Sequence, residues 1–427
     1  MKHSGIEWIG DIPEHWNVVP HKHIMYKMKE IQEHYSGQDI ISLTMNGVVV
    51  RDLDAGGKMP LSFDGYQKVY SNNLLLCLFD IDVTPRCVGL IKNDGVTSPA
   101  YSQFVLKDKG YPPYFDYLLR YIDDNKCLLH LAKNLRNSLT ETDFGQIQTC
   151  LPPLSEQQKI ADYLDKVCGE IDGLVALQEA MIDELKAYKQ SVITEAVTRG
   201  LNPNVPLKPS GIDWIGDIPE GWEVKPFKVL FRTGKGLSFT KSDLVEKGIS
   251  VISYGQIHSK QNRGTGIISS LIRCIPEDIV QGCNSSKVSV GDFIFADTSE
   301  DLSGCGNCVY VDKDINLYAG YHSVTAISKR KVSNIYLAYL FLTDCWRSQI
   351  RGRVSGIKVY SISQSIINQT SVILPPEGEQ QQIANYLDTK CSEIDSLIAI
   401  KQQKIEELKD YKKSIIYEYV TGKKEVV

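Results

Sequence analysis

From Ser155 onward, apolar side chains recur alternately four and three positions apart, at Ile160, Leu164, Val167, Ile171 and Leu174 and again at Met181, Leu185, Tyr188 and Val192, with Gln178 interrupting. That alternation predicts a long helix with a coiled-coil seam. Pro152 and Pro153 stop whatever precedes it, Ser155 caps it, and Gln158 completes a capping box. The helix ends near Thr198 to Gly200, before the helix-breaking run LNPNVPLKP. About 40 residues at 1.5 Å each make a rod of roughly 60 Å. A second stretch from Leu374 repeats the seam at Ile383, Leu387, Ile394, Leu397, Leu408, Tyr411 and Ile415. It puts Lys390, Lys401 and Lys404 where apolar residues would continue, with Ile398 and Ile405 as a displaced stripe. Both stripes are read as packing between two helices.

Outside these helices the pattern shortens. Apolar runs at 73–81, 102–107, 250–257, 291–297 and 307–313 are bounded by Gly, Asn and Asp, as strands are. Helical stretches follow at 113–125 and 334–350, then polar loops at 134–146 and 351–364. The order of elements is the same in two blocks whose residues differ, which predicts one mixed α/β fold with two diverged surfaces.

The blocks sit in a duplicated frame. SGIEWIGDIPEHW at 4–16 returns as SGIDWIGDIPEGW at 210–222, an offset of 206, and LPPLSEQQKIADYLD from Leu151 returns as LPPEGEQQQIANYLD from Leu374, an offset of 223. The predicted organisation is a conserved segment at 1–16, a first insert at 17–150, a long helix at 151–200, a linker and repeated segment at 201–222, a second insert at 223–373, and a second helix with tail at 374–427. If the helices pack together, chain order makes them antiparallel with an insert at each end. The end of the second helix then meets the amino-terminal segment, closing a cyclic, pseudo-two-fold α+β object.

With 42% hydrophobic and 23% charged residues the chain can bury ordinary cores. Neither a signal-type amino terminus nor an apolar stretch of membrane-spanning length is present, so the cytoplasm is the expected compartment, without a membrane partner. Eleven scattered cysteines suit a reducing environment. The one tight pair, Cys305 and Cys308, offers half of a zinc set, with Cys274, Cys283 or His322 to complete it, but buried or loop thiols are the simpler reading. The formal charge of −5 is unevenly divided. The first insert holds 14 Lys+Arg against 15 Asp+Glu, the second 18 against 12, and the frame 15 against 25. The second insert is therefore basic enough to meet phosphate, and the acidic frame suits protein or solvent.

No phosphate loop, HExxH or GxSxG is present, and LPPL and LPPE lack the Asn of an adenine methyltransferase tetrapeptide. Catalysis is not expected of this chain. GIxWIGDIPExW, a variable block, LPPLxEQxxIAxYLD and a long helix, the whole repeated, resembles the specificity subunits of type I restriction-modification systems. The resemblance implies two target recognition domains reading the halves of a bipartite double-stranded DNA target. It further implies a helical spacer that docks two modification (methyltransferase) subunits, with restriction (translocase and nuclease) subunits able to join. S-adenosylmethionine, ATP and magnesium would serve those partners, and no cofactor or metal is expected on this chain itself. Two such readers share one face of a duplex when about one turn apart, roughly 34 Å.

Under that reading the DNA-contact candidates of the first insert are Arg86, Lys92, Asn93, Lys133, Asn134, Arg136 and Asn137. Those of the second are Lys235, Lys241, Lys260, Asn262, Arg263, Arg347, Arg351, Arg353 and Lys358, with the three arginines from 347 to 353 foremost. Partner contact is assigned to Trp8, Ile9 and Trp16 and their copies Trp214, Ile215 and Trp222. The rival reading is a coiled-coil scaffold or adaptor whose inserts bind protein ligands.

Overall fold

The computed structural model describes residues 1–45, 47–54, 60–84, 86–132, 137–330, 334–356 and 358–426. The chain forms two compact units, 1–180 with 401–427 and 181–400, so the boundaries cut through both long helices.

In the first unit, Asn17–Pro20 pairs antiparallel with Gln148–Leu151 and ties the two ends of the insert together. Beyond this neck lies an antiparallel sheet in the order Met25–Met28, Ser102–Leu106, Leu74–Leu76, Val88–Leu90. A second layer holds the hairpin Ile41–Thr44 and Gly47–Val50 beside the pair Gln67–Val69 and Gly95–Thr97, joined through a parallel bridge between Ile40 and Val96. The helix Pro112–Asp124 begins on two prolines that preset its first turn and packs Tyr114, Phe115, Leu118, Leu119 and Ile122 into the core.

The second unit repeats this plan. Glu223–Pro226 pairs with Ser371–Leu374, and the sheet order is Phe231–Lys235, Ser323–Ser328, Phe293–Ala296, Cys308–Tyr310. Its second sheet, Arg273–Ile275, Ile249–Ile252, Leu317–Ala319 and Lys287–Val288, again has its one parallel pair in the middle. The helical stretch is split into Ile335–Phe341 and Asp344–Arg351, because Thr343 caps the second piece through a bond from Trp346 N.

The long helices span Leu154–Arg199 and Glu377–Val420. Within the first unit Asp172 pairs with Lys412 and Gln178 with Lys401, and within the second Lys189 pairs with Asp395. In the first unit the partner number falls as the residue number rises, so the helices run antiparallel there.

The expected seam holds at Ile160, Leu164, Ile171 and Val192 of the first helix and shifts only in the middle. Leu174, Met181 and Tyr188 are 47%, 37% and 57% exposed, while Cys168, Val175, Ile182 and Lys189 face inward. On the second helix the expected positions Ile383, Leu387, Ile394 and Ile415 are buried, but Leu397 and Tyr411 are 48% and 58% exposed and the displaced stripe through Ile398, Ile405 and Lys412 takes over in between. Hydrophobicity alone cannot choose between adjacent apolar residues such as Leu174 and Val175. The phase is set instead by Lys189 and Lys412, whose stems lie along the seam while each ammonium sits 2.7 Å from a carboxylate on the facing helix. No helix among the described residues is long and apolar enough to cross a membrane.

Candidate nucleic-acid interface

Each insert is locked to helix ends by the same set of polar contacts. Trp16 Nε1 donates to Glu156 Oε1 at 3.0 Å, and Trp222 Nε1 donates to Glu379 Oε2 at 3.1 Å. Tyr114 Oη donates to the carbonyl of Val420 at 3.0 Å, and Tyr336 Oη to that of Val197 at 2.9 Å, each capping a carbonyl at the end of a long helix. Tyr117 and Tyr339 donate to Asp165 and Asp388 at 2.7 and 2.6 Å. Burial raises the Tyr114 and Tyr336 pKa well above the ordinary phenol value, which keeps both as donors. Gly200 and Gly422 end the helices at φ 76° and 70°, conformations that favour glycine. A side chain at Gly422 would strike Pro13 and Trp16, and Lys423 donates to the Asp11 carbonyl. The end of the second long helix therefore does meet the amino-terminal segment, as chain order predicts.

These contacts revise the partner-binding residues. Trp16, Trp222 and Ile9 are buried and hold the necks, so in this conformation they present nothing to another protein. Ile215 packs against the core of its unit. The two remaining tryptophans differ. Trp8 is half-buried with its ring 6.1 Å from Tyr121, whose hydroxyl donates to the Trp8 carbonyl, whereas Trp214 is 60% exposed.

The DNA-contact candidates divide in the same way. Arg86 donates to the Met45 carbonyl at 3.0 Å and lies 3.7 Å from Asp124, while Asn137 uses a left-handed backbone to accept from Ile81 N. Asn262 bridges the carbonyls of Ile257 and Cys308. The arginine cluster is also engaged. Arg347 donates to the Phe341 carbonyl at 2.8 Å, Arg351 to Asp344 and the Ser303 carbonyl at 2.7 and 3.0 Å, and Arg353 to the Gln349 carbonyl. Carbonyls near the ends of two short helices attract these guanidinium groups more strongly than sequence pattern reveals, and burial lowers the Arg347 pKa. Arg353 keeps an exposed surface, as do Lys92, Asn93, Lys235, Lys241, Lys260, Arg263 and Lys358. Lys133, Asn134 and Arg136 lie outside the described residues.

The second unit also contains a groove of about 1030 Å³, bounded by Lys235, Asp297, Tyr321, His322 and Gln364. Of its lining, sequence reasoning picked out Lys235 alone as a DNA contact, because the rest carries no charge run. The available signal was the hydroxyl- and amide-rich run YSISQS at 360–365. Cys305 and Cys308 are buried free thiols, and burial pushes the Cys308 pKa up to about 12. Among the described residues no group of three or more His, Cys, Asp or Glu is placed to hold a metal.

Residues 219–410 match the type I restriction modification DNA specificity domain. The chain is 26% identical over 284 residues to the type I restriction enzyme MjaVIII specificity subunit of Methanocaldococcus jannaschii, a match covering 66% of this chain and 63% of that protein. It is 27% identical over 343 residues to the putative MjaX specificity subunit of the same organism, covering 74% and 69%. A chain solved in a study of complex assembly and conformational transition of the type I R-M system shares the fold, with TM-score 0.69, 14% identity and coverage of 96% and 98%. The domain match runs through most of the second unit and its helix, the same plan is repeated in the first unit, and the chain is thus similar to type I restriction enzyme specificity subunits over most of its length.

Proposed function

We infer that this chain is the non-catalytic DNA-reading subunit of a type I restriction-modification complex. Each unit reads one half of an asymmetric bipartite target, and the two long helices fix the unread spacer between the halves in the manner of two antiparallel coiled-coil rods with pseudo-two-fold symmetry. Two methyltransferase subunits dock on the helices and on the rims that carry the half-buried Trp8 and the exposed Trp214. Restriction subunits add to that assembly, and S-adenosylmethionine, ATP and magnesium enter through these partners. The complex works on chromosomal and invading DNA in the cytoplasm.

One observation carries this reading: the neck contacts recur between units while the insert surfaces diverge. Trp16 and Trp222, Tyr114 and Tyr336, and Tyr117 and Tyr339 make matching bonds, so the inserts are exchangeable heads on a common mount. Lys92, Asn93, Lys235, Lys241, Lys260, Arg263, Arg353 and Lys358 are the described groups offered to the duplex, and Lys133, Asn134 and Arg136, outside the described residues, remain candidates from the sequence.

Sequencing methylated adenines in cells with and without this chain tests the proposal. An asymmetric bipartite motif should be methylated only when the chain is present. Identical methylation in both strains would contradict it.

A further inference from the structure

The geometry points to the groove of the second unit as the surface that reads base edges in its half-site, with His322 and Gln364 as specificity-determining residues and Lys235 as a phosphate contact. This assignment rests on the DNA reading proposed above.

The two units show the same framework with different lining. Leu76 pairs with Ser102 as Phe295 pairs with Val324, which aligns Leu78 with Asp297 and Ala100 with His322. Leu139 N donates to the Leu78 carbonyl at 2.8 Å, and Ile362 N donates to the Asp297 carbonyl at 2.7 Å. The caps Thr140 and Ser363 follow, aligning Glu141 with Gln364. At three lining positions a leucine, an alanine and a glutamate are thus exchanged for an aspartate, a histidine and a glutamine. Glu141 is tied to Lys27 at 3.5 Å, whereas Gln364 lines the open groove. The lysine is retained: Phe104 pairs with Lys27 and Ala326 with Thr233, so Lys29 and Lys235 share a position, and both are exposed. A retained cation with variable polar neighbours is what two readers of unlike sequences require, since phosphate is common to all DNA and base edges are not.

The groove is also held open. A methyl group at Gly236 would stand 2.0 Å from the Gly320 carbonyl and 2.3 Å from Ser323 Oγ, so two bare backbones cross at its floor. Phe239 and Tyr321 meet edge to face at 5.1 Å, giving a stiff apolar wall. His322 adopts φ 52°, a conformation costly for a non-glycine residue and concentrated at functional positions. Its Nδ1 lies 3.4 Å from Asp297 Oδ1, and an imidazole N–H is a donor suited to the guanine N7 and O6 acceptors. The Gln364 amide has the donor and acceptor pair that matches adenine N6 and N7.

Three variants of the full chain, each assembled with its methyltransferase subunits, test the assignment. Gln364→Glu installs the residue of the other unit, and His322→Asn keeps a side chain tolerant of positive φ. Each is expected to relax or change one half of the methylated motif while leaving the other half as in the wild type, with discrimination at the affected base reduced roughly 5- to 150-fold. Lys235→Ala should weaken binding to all sequences alike and lower the salt slope by about 1. An unaltered motif in both of the first two variants would overturn the groove assignment alone. A wild-type chain that directs no methylation would overturn the DNA reading beneath it.

Discussion

The two units of this molecule keep their mounts alike and build their interiors differently. In the second unit Phe227 stacks on Phe231 at 4.8 Å and lies within 6.4 Å of Phe295, Phe341 and Trp346. The first unit puts His21 at the corresponding place, one residue past the paired prolines of the neck strand, with its ring 4.6 Å from Phe144. Fully buried, this imidazole is held neutral, its pKa lowered to about 4 by desolvation against a weaker contact with the Phe144 backbone. Selection on the mount acts through a few bonds at fixed register, whereas the interior only has to fill its volume.

The comparison is broken most severely at the mount. Trp16→Ala and Trp222→Ala remove buried indoles and the hydrogen bonds they donate to Glu156 and Glu379, so each should cost its own unit about 3–5 kcal/mol. Hydrogen exchange mapped over 1–180 and 181–400 should show the loss confined to the mutated unit.

Acid should then separate the units. The folded pKa of His21 lies below its unfolded value of 6.5, so its stabilising contribution is complete above about pH 7 and is lost as pH falls toward 4. The shift corresponds to about 3 kcal/mol in the first unit, and His21→Phe should abolish that part of the pH dependence. A second unit that weakens equally over the same range, or a His21→Phe protein that still does, would contradict the assignment.

Smaller effects sharpen the likeness. Tyr114→Phe and Tyr336→Phe each delete one bond to a helix-end carbonyl and should cost about 1 kcal/mol, equally in the two units. The ion pairs Lys412–Asp172 and Lys189–Asp395 occupy matching positions on partly exposed faces. Double-mutant cycles should return about 0.2–1 kcal/mol for each, diminishing with added salt.

Much of this architecture was legible in the chain. The repeated segments located both necks, the capping signals at Ser155 placed the first long helix within a residue, and matched strand order predicted one fold used twice. What was hidden depends on partners distant in sequence. The middle of the helix seam was misphased because Leu174 beside Val175 and Met181 beside Ile182 are equally apolar, and the deciding ion pairs lie more than 200 residues apart. Arg347 and Arg351 were read as DNA contacts because charge is visible in a sequence and the carbonyls that claim it are not. Apart from Lys235 the groove stayed hidden for the opposite reason, since its lining is mostly uncharged and drawn from four separated segments.

The central claim is that the inserts are interchangeable readers on a duplicated mount. Replacing residues 17–150 with a second copy of 223–373, joined at the matched neck strands, tests it most directly. Sequencing of methylated adenines should then show a palindromic target, the second half-site repeated in inverted orientation around the spacer. Retention of the original asymmetric target by that chimera would contradict the account.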